Sequence, residues 1–242
     1  MDERRSRTRQ RIVEAAAALL AEGGRDAVST RAVSSAAGVQ APAIYRLFGD
    51  KQGLLDAVAD HAFTAYLEAK TSREPADDPV EDLRRGWDAH VDFGLRNPAF
   101  YALMYGEPRF GAQRPAAREA ARILRRLVEA AAREGRLRVE VEAAAGMIHA
   151  ACSGVTLSLI AAGPAEGGPA LSRLTREAVL MAIATGPGAT DTGERRTAAR
   201  AVAMKAVLPE VGPALTPAEH RLLAEWLDRV ARADVPEGGP PA

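Results

Sequence analysis

Apolar residues recur every three or four positions along most of the chain, and no stretch alternates in the way a half-buried strand would. This pattern predicts an all-α protein. Glycines, prolines and capping residues divide the pattern into separate helices. The predicted helices cover residues 6–22, 30–38, 41–48, 51–70, 79–96, 100–105, 115–134, 140–162, 169–184, 194–208 and 217–232.

Local signals fix several of these boundaries. Gly23 and Gly24 end the first helix, as glycine does past a helix terminus. Thr216 followed by Glu219 forms a capping box that begins the last helix. The glycine-bearing stretch 186–193 is predicted to be a linker, and the terminal residues 235–242 are predicted to be disordered.

Composition excludes several classes of protein. With 47% hydrophobic and 26% charged residues, the chain has the balance of a globular protein. A single cysteine, Cys152, excludes a disulfide framework, a cysteine zinc cluster and a CxxC redox pair, which favours a cytoplasmic location. No run of about 20 apolar residues predicts a membrane span, and the charged N-terminus is unlike a secretory signal.

The charges are unevenly distributed, although the net charge is zero. Residues 1–51 hold nine basic and six acidic side chains, and five of the basic ones are arginines within residues 1–11. A basic end on an otherwise acidic chain is a mild indication of phosphate binding. These arginines either enter a minor groove or form a disordered arm, and the sequence does not decide between the two.

The segment 29–48, STRAVSSAAGVQAPAIYRLF, places two short helices on either side of Gly38. Glycine allows the left-handed turn between them, and Val39 is placed to fill the corner. A tight corner that holds the second helix away from the body is typical of a helix-turn-helix. The spacing alone is equally compatible with a helical hairpin that only packs against the rest of the protein.

A longer pattern that includes this segment is more specific than the helix-turn-helix spacing alone. From Ser6 to Tyr66 the chain resembles the N-terminal domain of the TetR family of transcriptional repressors. The matching residues are Ile12, Ala16, Leu19, Ser29, Val33, Ala37, Gly38, Val39, Ile44, Tyr45, Phe48, Asp50, Lys51, Leu54 and Leu55. Two positions depart from the family pattern. Gln40 stands where a small hydroxyl cap is usual, so the next helix is expected to be less well capped or to be capped from elsewhere, and Ser34 replaces an alanine.

The resemblance implies an N-terminal three-helix helix-turn-helix DNA-binding domain, joined by the fourth helix to a C-terminal helical ligand-binding and dimerisation bundle. The corresponding ranges are 6–66 for DNA binding, with the motif at 29–48, and 67–186 for ligand binding and dimerisation. Residues 187–242 then form a linker, an extra helical pair and a tail beyond the usual family core.

The resemblance also implies that the third helix enters the major groove of double-stranded DNA. Gln40 has the chemistry to read an adenine edge, and Arg46 to contact guanine or a phosphate. Tyr45 resembles a family tyrosine that contacts a phosphate, and Lys51 lies where a helix N-terminus favours an anion. The residues predicted to contact DNA are Ser29, Thr30, Gln40, Ala41, Pro42, Tyr45, Arg46 and Lys51.

For the body, the resemblance implies a homodimer on a palindromic operator, with the helices at 140–162 and 169–184 pairing between subunits. Alternatively, one of these helices packs in its own core and only the other lies at the interface. Aromatic residues concentrate between positions 87 and 105, where a related subgroup binds its inducer. A small apolar or aromatic effector is therefore expected to release the protein from DNA. The residues predicted to contact it are Trp87, His90, Phe93, Tyr101, Met104, His149 and Cys152. Alternatively, these aromatic residues simply form the core.

An α-helical enzyme and a helical interaction scaffold without DNA binding are the alternatives. The four histidines are far apart, and the sequence has no HExxH, GxxxxGK, GxSxG or GxGxxG motif. No catalytic residue, metal ligand or cofactor is therefore predicted. A scaffold does not require a tight corner at Gly38 with Tyr45 and Lys51 exposed beyond it. A DNA-binding regulator, expected to be a repressor, is the favoured interpretation.

Overall fold

A computed structural model of the chain describes residues 2–71, 74–106, 115–163, 168–186 and 194–232. Within these ranges there are eleven α-helices, one 3-10 helix and no strand. The α-helices are α1 Asp2–Ala27, α2 Thr30–Ala37, α3 Ala41–Phe48, α4 Lys51–Thr71, α5 Pro79–Arg96, α6 Pro98–Tyr105, α7 Pro115–Arg133, α8 Val141–Ala162, α9 Gly168–Ile183, α10 Glu194–Val207 and α11 Pro217–Arg232. The 3-10 helix spans Leu208–Ala214. The all-α prediction is confirmed.

The predicted boundary signals act where the sequence places them. Gly23 and Gly24 interrupt α1 with non-helical backbone angles, and Gly24 has a φ of 65°. At α11, the Thr216 hydroxyl accepts a hydrogen bond from the Glu219 amide at 3.3 Å, and Glu219 accepts one from the Thr216 amide at 2.8 Å. That second bond leads the causes that lower the pKa of Glu219. The predicted linker (apart from Gly186) and the predicted disordered tail lie outside the described residues.

The described chain divides into two compact units, and α5, α7 and α8 contribute to both. The first unit comprises Met1–Arg73, Ala89–Ala120 and Ser153–Glu166, and the second comprises Glu74–Asp88, Ala121–Cys152 and Gly167–Ala242. In the first unit, α1, α2, α3, α4 and α6 pack around one apolar core. Its fully buried side chains include Ile12, Leu20, Ile44, Leu54 and Leu55. This core fixes the four N-terminal helices relative to one another.

The second unit is held by buried and half-buried polar contacts as well as by apolar packing. The Trp87 indole donates a hydrogen bond to the Ser172 hydroxyl at 3.1 Å, joining α5 to α9. Arg84 on α5 donates to the Glu177 carboxylate on α9 at 3.2 Å. That bond is the main reason why the pKa of Glu177 lies below its ordinary value, and burial acts in the opposite direction.

One helix of the described ranges, α8, has the length and apolar composition needed to cross a bilayer. A third of its most apolar window, 33%, is buried within the structure. A single helix of this kind is weak evidence for a membrane protein, because core and interface helices of globular proteins have the same composition.

The Ser34 departure from the family pattern has a structural cost. Its hydroxyl oxygen is buried in α2 and has no hydrogen-bond partner among the described residues. A buried polar group without a partner loses its interactions with water and gains nothing in return. We expect Ser34→Ala to raise the free energy of unfolding by about 1 kcal/mol, measured by urea denaturation.

Ser35→Ala is the matched control for this prediction. Ser35 is the next residue of α2 and is exposed, so its replacement reports helix propensity alone. A stabilisation by Ser34→Ala no larger than that by Ser35→Ala would contradict the assignment of a buried, unsatisfied hydroxyl.

Candidate nucleic-acid interface

A short turn at Gly38 joins α2 to α3. Ser29 caps α2, because its hydroxyl accepts a hydrogen bond from the Ala32 amide at 3.1 Å. Gly38 adopts left-handed angles, with φ 61° and ψ 42°, as predicted. The next amide, of Val39, then donates to the Ser34 carbonyl at 3.0 Å. These bonds satisfy the carbonyls at the end of α2 and turn the chain sharply into α3.

Apolar residues on the inner faces of both helices fix the corner against α1 and α4. Val33, Ala37 and Ile44 are buried, and Val39 and Phe48 are partly buried against the same core. The opposite face of α3 is therefore held outward on a rigid support.

The outer face of α3 carries most of the residues predicted to contact DNA. Gln40, Pro42, Tyr45 and Arg46 are exposed, with Tyr45 at 52%. Ala41 is half-buried beside them. The described structure therefore brings these side chains to one surface of the domain.

Gln40 occupies the N-cap position of α3 without capping it. Its backbone is extended, and its side chain makes no capping hydrogen bond. The start of α3 therefore has no side-chain cap from its N-cap residue. Pro42 in the first turn removes one amide that would otherwise need a partner. The Gln40 carboxamide is therefore not engaged in holding the helix end.

Two further helix N-termini carry the remaining residues predicted to contact DNA. At α4, the Asp50 carboxylate accepts a hydrogen bond from the Gly53 amide at 2.7 Å, and Lys51 is exposed on the first turn. At α2, Ser29 is exposed and Thr30 is half-buried. Amide groups at helix N-termini favour a phosphate, as does the Lys51 ammonium.

Two residues that support α3 were not predicted from the sequence. The Arg9 guanidinium on α1 lies 5.3 Å from the centre of the Phe48 ring at the end of α3, a cation–π contact between the two helices. Gly53 on α4 lies so close to α3 that a Cβ atom built there would be 2.0 Å from the Phe48 carbonyl oxygen. The five N-terminal arginines lie exposed on α1, which is helical from Asp2 onward.

The residues predicted to contact an effector fall into separate groups. In the first unit, the His90 ring lies 2.7 Å from the Tyr101 hydroxyl, and the two residues pack with Phe93, Tyr66 and Tyr105. Met104 of the same unit packs instead against the N-terminal core.

The other predicted effector residues belong to the second unit. There the Cys152 sulfur lies 4.0 Å from the Trp87 carbonyl oxygen, and both residues are buried. His149 lies on the exposed side of α8.

The segment that contains the helix-turn-helix matches a known protein family. A family model described as "Bacterial regulatory proteins, tetR family" matches residues 12–58, which span α1 to α4. No curated protein sequence is significantly similar to the chain.

Solved structures share the fold. A TetR-family transcriptional regulator from Pectobacterium atrosepticum has 22% identity and a TM-score of 0.62, covering 77% of this chain and 99% of its own. A protein of unknown function from Rhodococcus sp. RHA1 has 26% identity and a TM-score of 0.61, covering 74% and 96%. The transcriptional regulator FadR from Bacillus subtilis, solved with stearoyl-CoA, has 19% identity and a TM-score of 0.58, covering 71% and 97%.

The family match covers the helix-turn-helix that the structure holds on its apolar core, and the similar structures carry the same fold. Residues 12–58 of the chain are therefore similar to the tetR family of bacterial regulatory proteins, and the described structure shares its fold with TetR-family transcriptional regulators.

Proposed function

We propose that the protein is a cytoplasmic repressor that binds a palindromic operator as a homodimer and leaves it when a small molecule binds. The observation that carries this proposal is the outward face of α3, where Gln40, Tyr45 and Arg46 are exposed on a buried apolar support. We assign DNA binding to residues 6–66, ligand binding and dimerisation to 67–186, and an accessory role to 187–242.

Each residue predicted to contact DNA has a role that its chemistry supports. Gln40 and Arg46 read base edges in the major groove, and Ala41 and Pro42 offer apolar contact to a thymine methyl group. Tyr45, Lys51, Ser29 and Thr30 contact phosphates and set the position of α3 without reading sequence.

Selection of random DNA duplexes on the purified protein tests the proposal. We expect enrichment of a palindrome whose half-sites are separated by about one helical turn or a multiple of it. Affinity for the selected duplex is expected to fall steeply with salt. Enrichment of no sequence, or of a single unrepeated half-site, would overturn the palindromic-operator proposal.

Two substitutions separate base reading from phosphate contact. We expect Lys51→Gln to weaken binding to all duplexes alike and to lower the salt slope by about one per subunit. Gln40→Ala is expected to relax the preference at one base pair of each half-site, costing about 1–3 kcal/mol of discrimination, with little change in salt slope. Titrations of selected and single-mismatch duplexes at several salt concentrations measure both quantities.

Arg229→Gln is the control for the change in charge, because Arg229 is exposed on α11 and belongs to the second unit. If it lowers the salt slope as much as Lys51→Gln does, the assignment of Lys51 to a phosphate is wrong.

Two neighbouring helices of the body support the homodimer. The exposed residues of α9 at positions 171, 174, 178 and 181 repeat with the 3–4 spacing of a helix-pairing seam. Leu174 and Met181 in this seam are 67% and 71% exposed. On α8, three of the six exposed residues of the part in the second unit are small, namely Ala143, Gly146 and Ala150. Small residues let a partner helix approach closely.

We assign effector binding in the first unit to the aromatic cluster of His90, Phe93 and Tyr101. The hydrogen-bonded pair of His90 and Tyr101 supplies polar groups beside apolar rings, a combination that suits a small apolar or aromatic ligand. FadR, whose structure is similar, was solved with stearoyl-CoA, and this supports the proposal of a ligand with an apolar part.

A further inference from the structure

The first turns of α1 extend beyond the apolar core of the first unit. From residue 12 onward, one face of this helix is buried against the core. Residues 3–11 are exposed, apart from Thr8, which is half-buried. They hold five arginines and a single acidic residue, Glu3. Because the family match begins only at residue 12, this basic segment lies outside the part of the chain that resembles the family.

Helical spacing divides these arginines between two faces of α1. Arg5 and Arg9 are four residues apart, and Arg9 precedes the buried Val13 by four more. Arg5 and Arg9, which we call the inner pair, therefore continue the face of α1 that packs against the core. The other three arginines lie on the opposite face, since Arg11, for example, follows Arg9 by two residues, or about 200°.

The inner pair adjoins the turn between α3 and α4. The Arg9 guanidinium lies 5.3 Å from the centre of the Phe48 ring, and Phe48 is the last residue of α3. Lys51, which is assigned to a phosphate, follows Phe48 by three residues, a stretch of at most about 11 Å. Arg5 lies one helical turn, or about 6 Å, beyond Arg9 along α1. The inner pair therefore extends the positive charge that Lys51 places at this turn.

Neither arginine of the inner pair is neutralised within the described part of the chain. On the opposite face, Arg7 forms an ion pair with Glu3 at 3.1 Å. No carboxylate of the described residues lies within ion-pair distance of Arg5 or Arg9. The cation–π contact with Phe48 holds Arg9 in place without cancelling its charge. Both guanidinium groups can therefore bind an anion.

The shape of the segment determines which part of a DNA duplex the inner pair can reach. The segment is helical from Asp2 onward, so its arginines are not carried on an irregular arm. A helix with its side chains is about 10–12 Å wide, whereas the minor groove of B-DNA is about 6 Å wide. The segment is too wide to enter the minor groove as a helix. Its guanidinium groups can instead reach phosphate oxygens, with which arginine forms paired hydrogen bonds.

We propose that Arg5 and Arg9 form a further phosphate-binding element, which contacts the DNA backbone next to the phosphate held by Lys51. This contact adds affinity but reads no sequence, because phosphates carry no sequence information. It also extends the DNA-binding surface to Arg5, outside the range 6–66. The inference rests on the proposed function, since it requires that α3 lies in the major groove.

Titration of the selected duplex at several salt concentrations tests the proposal. We expect Arg5→Gln to lower the salt slope by about one per subunit, and Arg5→Gln combined with Arg9→Gln to lower it by about two. Base preference is expected to stay the same, including when A·T pairs that flank each half-site are replaced by G·C pairs. Arg5→Gln removes no contact within the described chain, so its effect on binding does not depend on a change in folding.

Arg11→Gln is the matched control, because it removes the same charge from an exposed position on the opposite face of α1. It is expected to leave the salt slope nearly unchanged. An unchanged slope for Arg5→Gln, or an equal fall for Arg11→Gln, would overturn the proposal. A changed preference at the flanking base pairs in Arg5→Gln would do the same, because it indicates insertion into the minor groove.

Lys51→Gln, titrated on the same duplexes, separates this inference from the proposed function. If Lys51→Gln lowers the salt slope and Arg5→Gln does not, the contact through α1 is wrong while the proposed DNA-binding surface stands. If the protein binds no duplex, both are wrong.

Discussion

Replacement of Gly53 by alanine is expected to abolish specific DNA binding and to destabilise the first unit. The added Cβ would lie 2.0 Å from the Phe48 carbonyl oxygen and 3.2 Å from its carbon, so backbone must move to make room. Backbone atoms cannot swing aside as a flexible side chain can. The end of α3 and the start of α4 must therefore separate, which displaces the exposed face of α3.

We expect the free energy of unfolding to fall by about 3 kcal/mol, the upper part of the range for overpacking. For a chain of this size, that corresponds to a melting temperature lower by roughly 10 °C. Circular dichroism melting measures the stability, and titration of the selected operator duplex at a temperature where the variant is folded measures the binding.

His61→Ala serves as the control, since it also introduces alanine into α4 but at an exposed position. It is expected to change neither stability nor affinity appreciably. A Gly53→Ala variant with wild-type melting and wild-type affinity would show that α3 and α4 are not packed as closely as described.

Local signals in the sequence were sufficient to predict the helices and the corner of the helix-turn-helix. Ser29, Gly38 and the pair Thr216 and Glu219 each act through bonds to residues at most five positions away. Such interactions depend on residue type and spacing alone. The uncapped start of α3 followed from Gln40 for the same reason.

Contacts between helices that are distant in the chain were not predictable in this way. The contact of Arg9 with Phe48 joins residues 39 positions apart, and the close approach at Gly53 depends on the angle between α3 and α4. The cavity lined by α7, α10 and α11 likewise depends on how these helices pack against one another. No spacing rule in the sequence contains that information.

In the aromatic segment between positions 87 and 105, the sequence likewise did not predict which side chains contact one another. Its residues were expected to share one region because they are close in sequence. The described structure pairs His90 with Tyr101, but packs Met104 on the N-terminal core. Position on a helix face, rather than nearness along the chain, decides which of these side chains meet.

The proposed dimer seam on α9 leads to the second large expected effect. A side chain that is 67% exposed, as Leu174 is, contributes little to the fold of its own chain. In a twofold helical interface it would be buried against the partner's copy, where a charged side chain would lack a counter-ion. We therefore expect Leu174→Arg to leave the subunit folded but to prevent dimer formation.

Loss of the dimer removes the second recognition helix from the complex. When two half-sites are bound by linked modules, the second contact is intramolecular, and this linkage is worth roughly 10²–10⁴-fold in affinity. We expect Leu174→Arg to weaken binding to the palindrome by about that factor. Sedimentation equilibrium is expected to show the mass of one chain for the variant and of two for the wild type. Leu222→Arg is the matched control, because Leu222 is 43% exposed on α11, outside the seam. If Leu174→Arg remains dimeric and binds the palindrome normally, the subunits do not pair through α9.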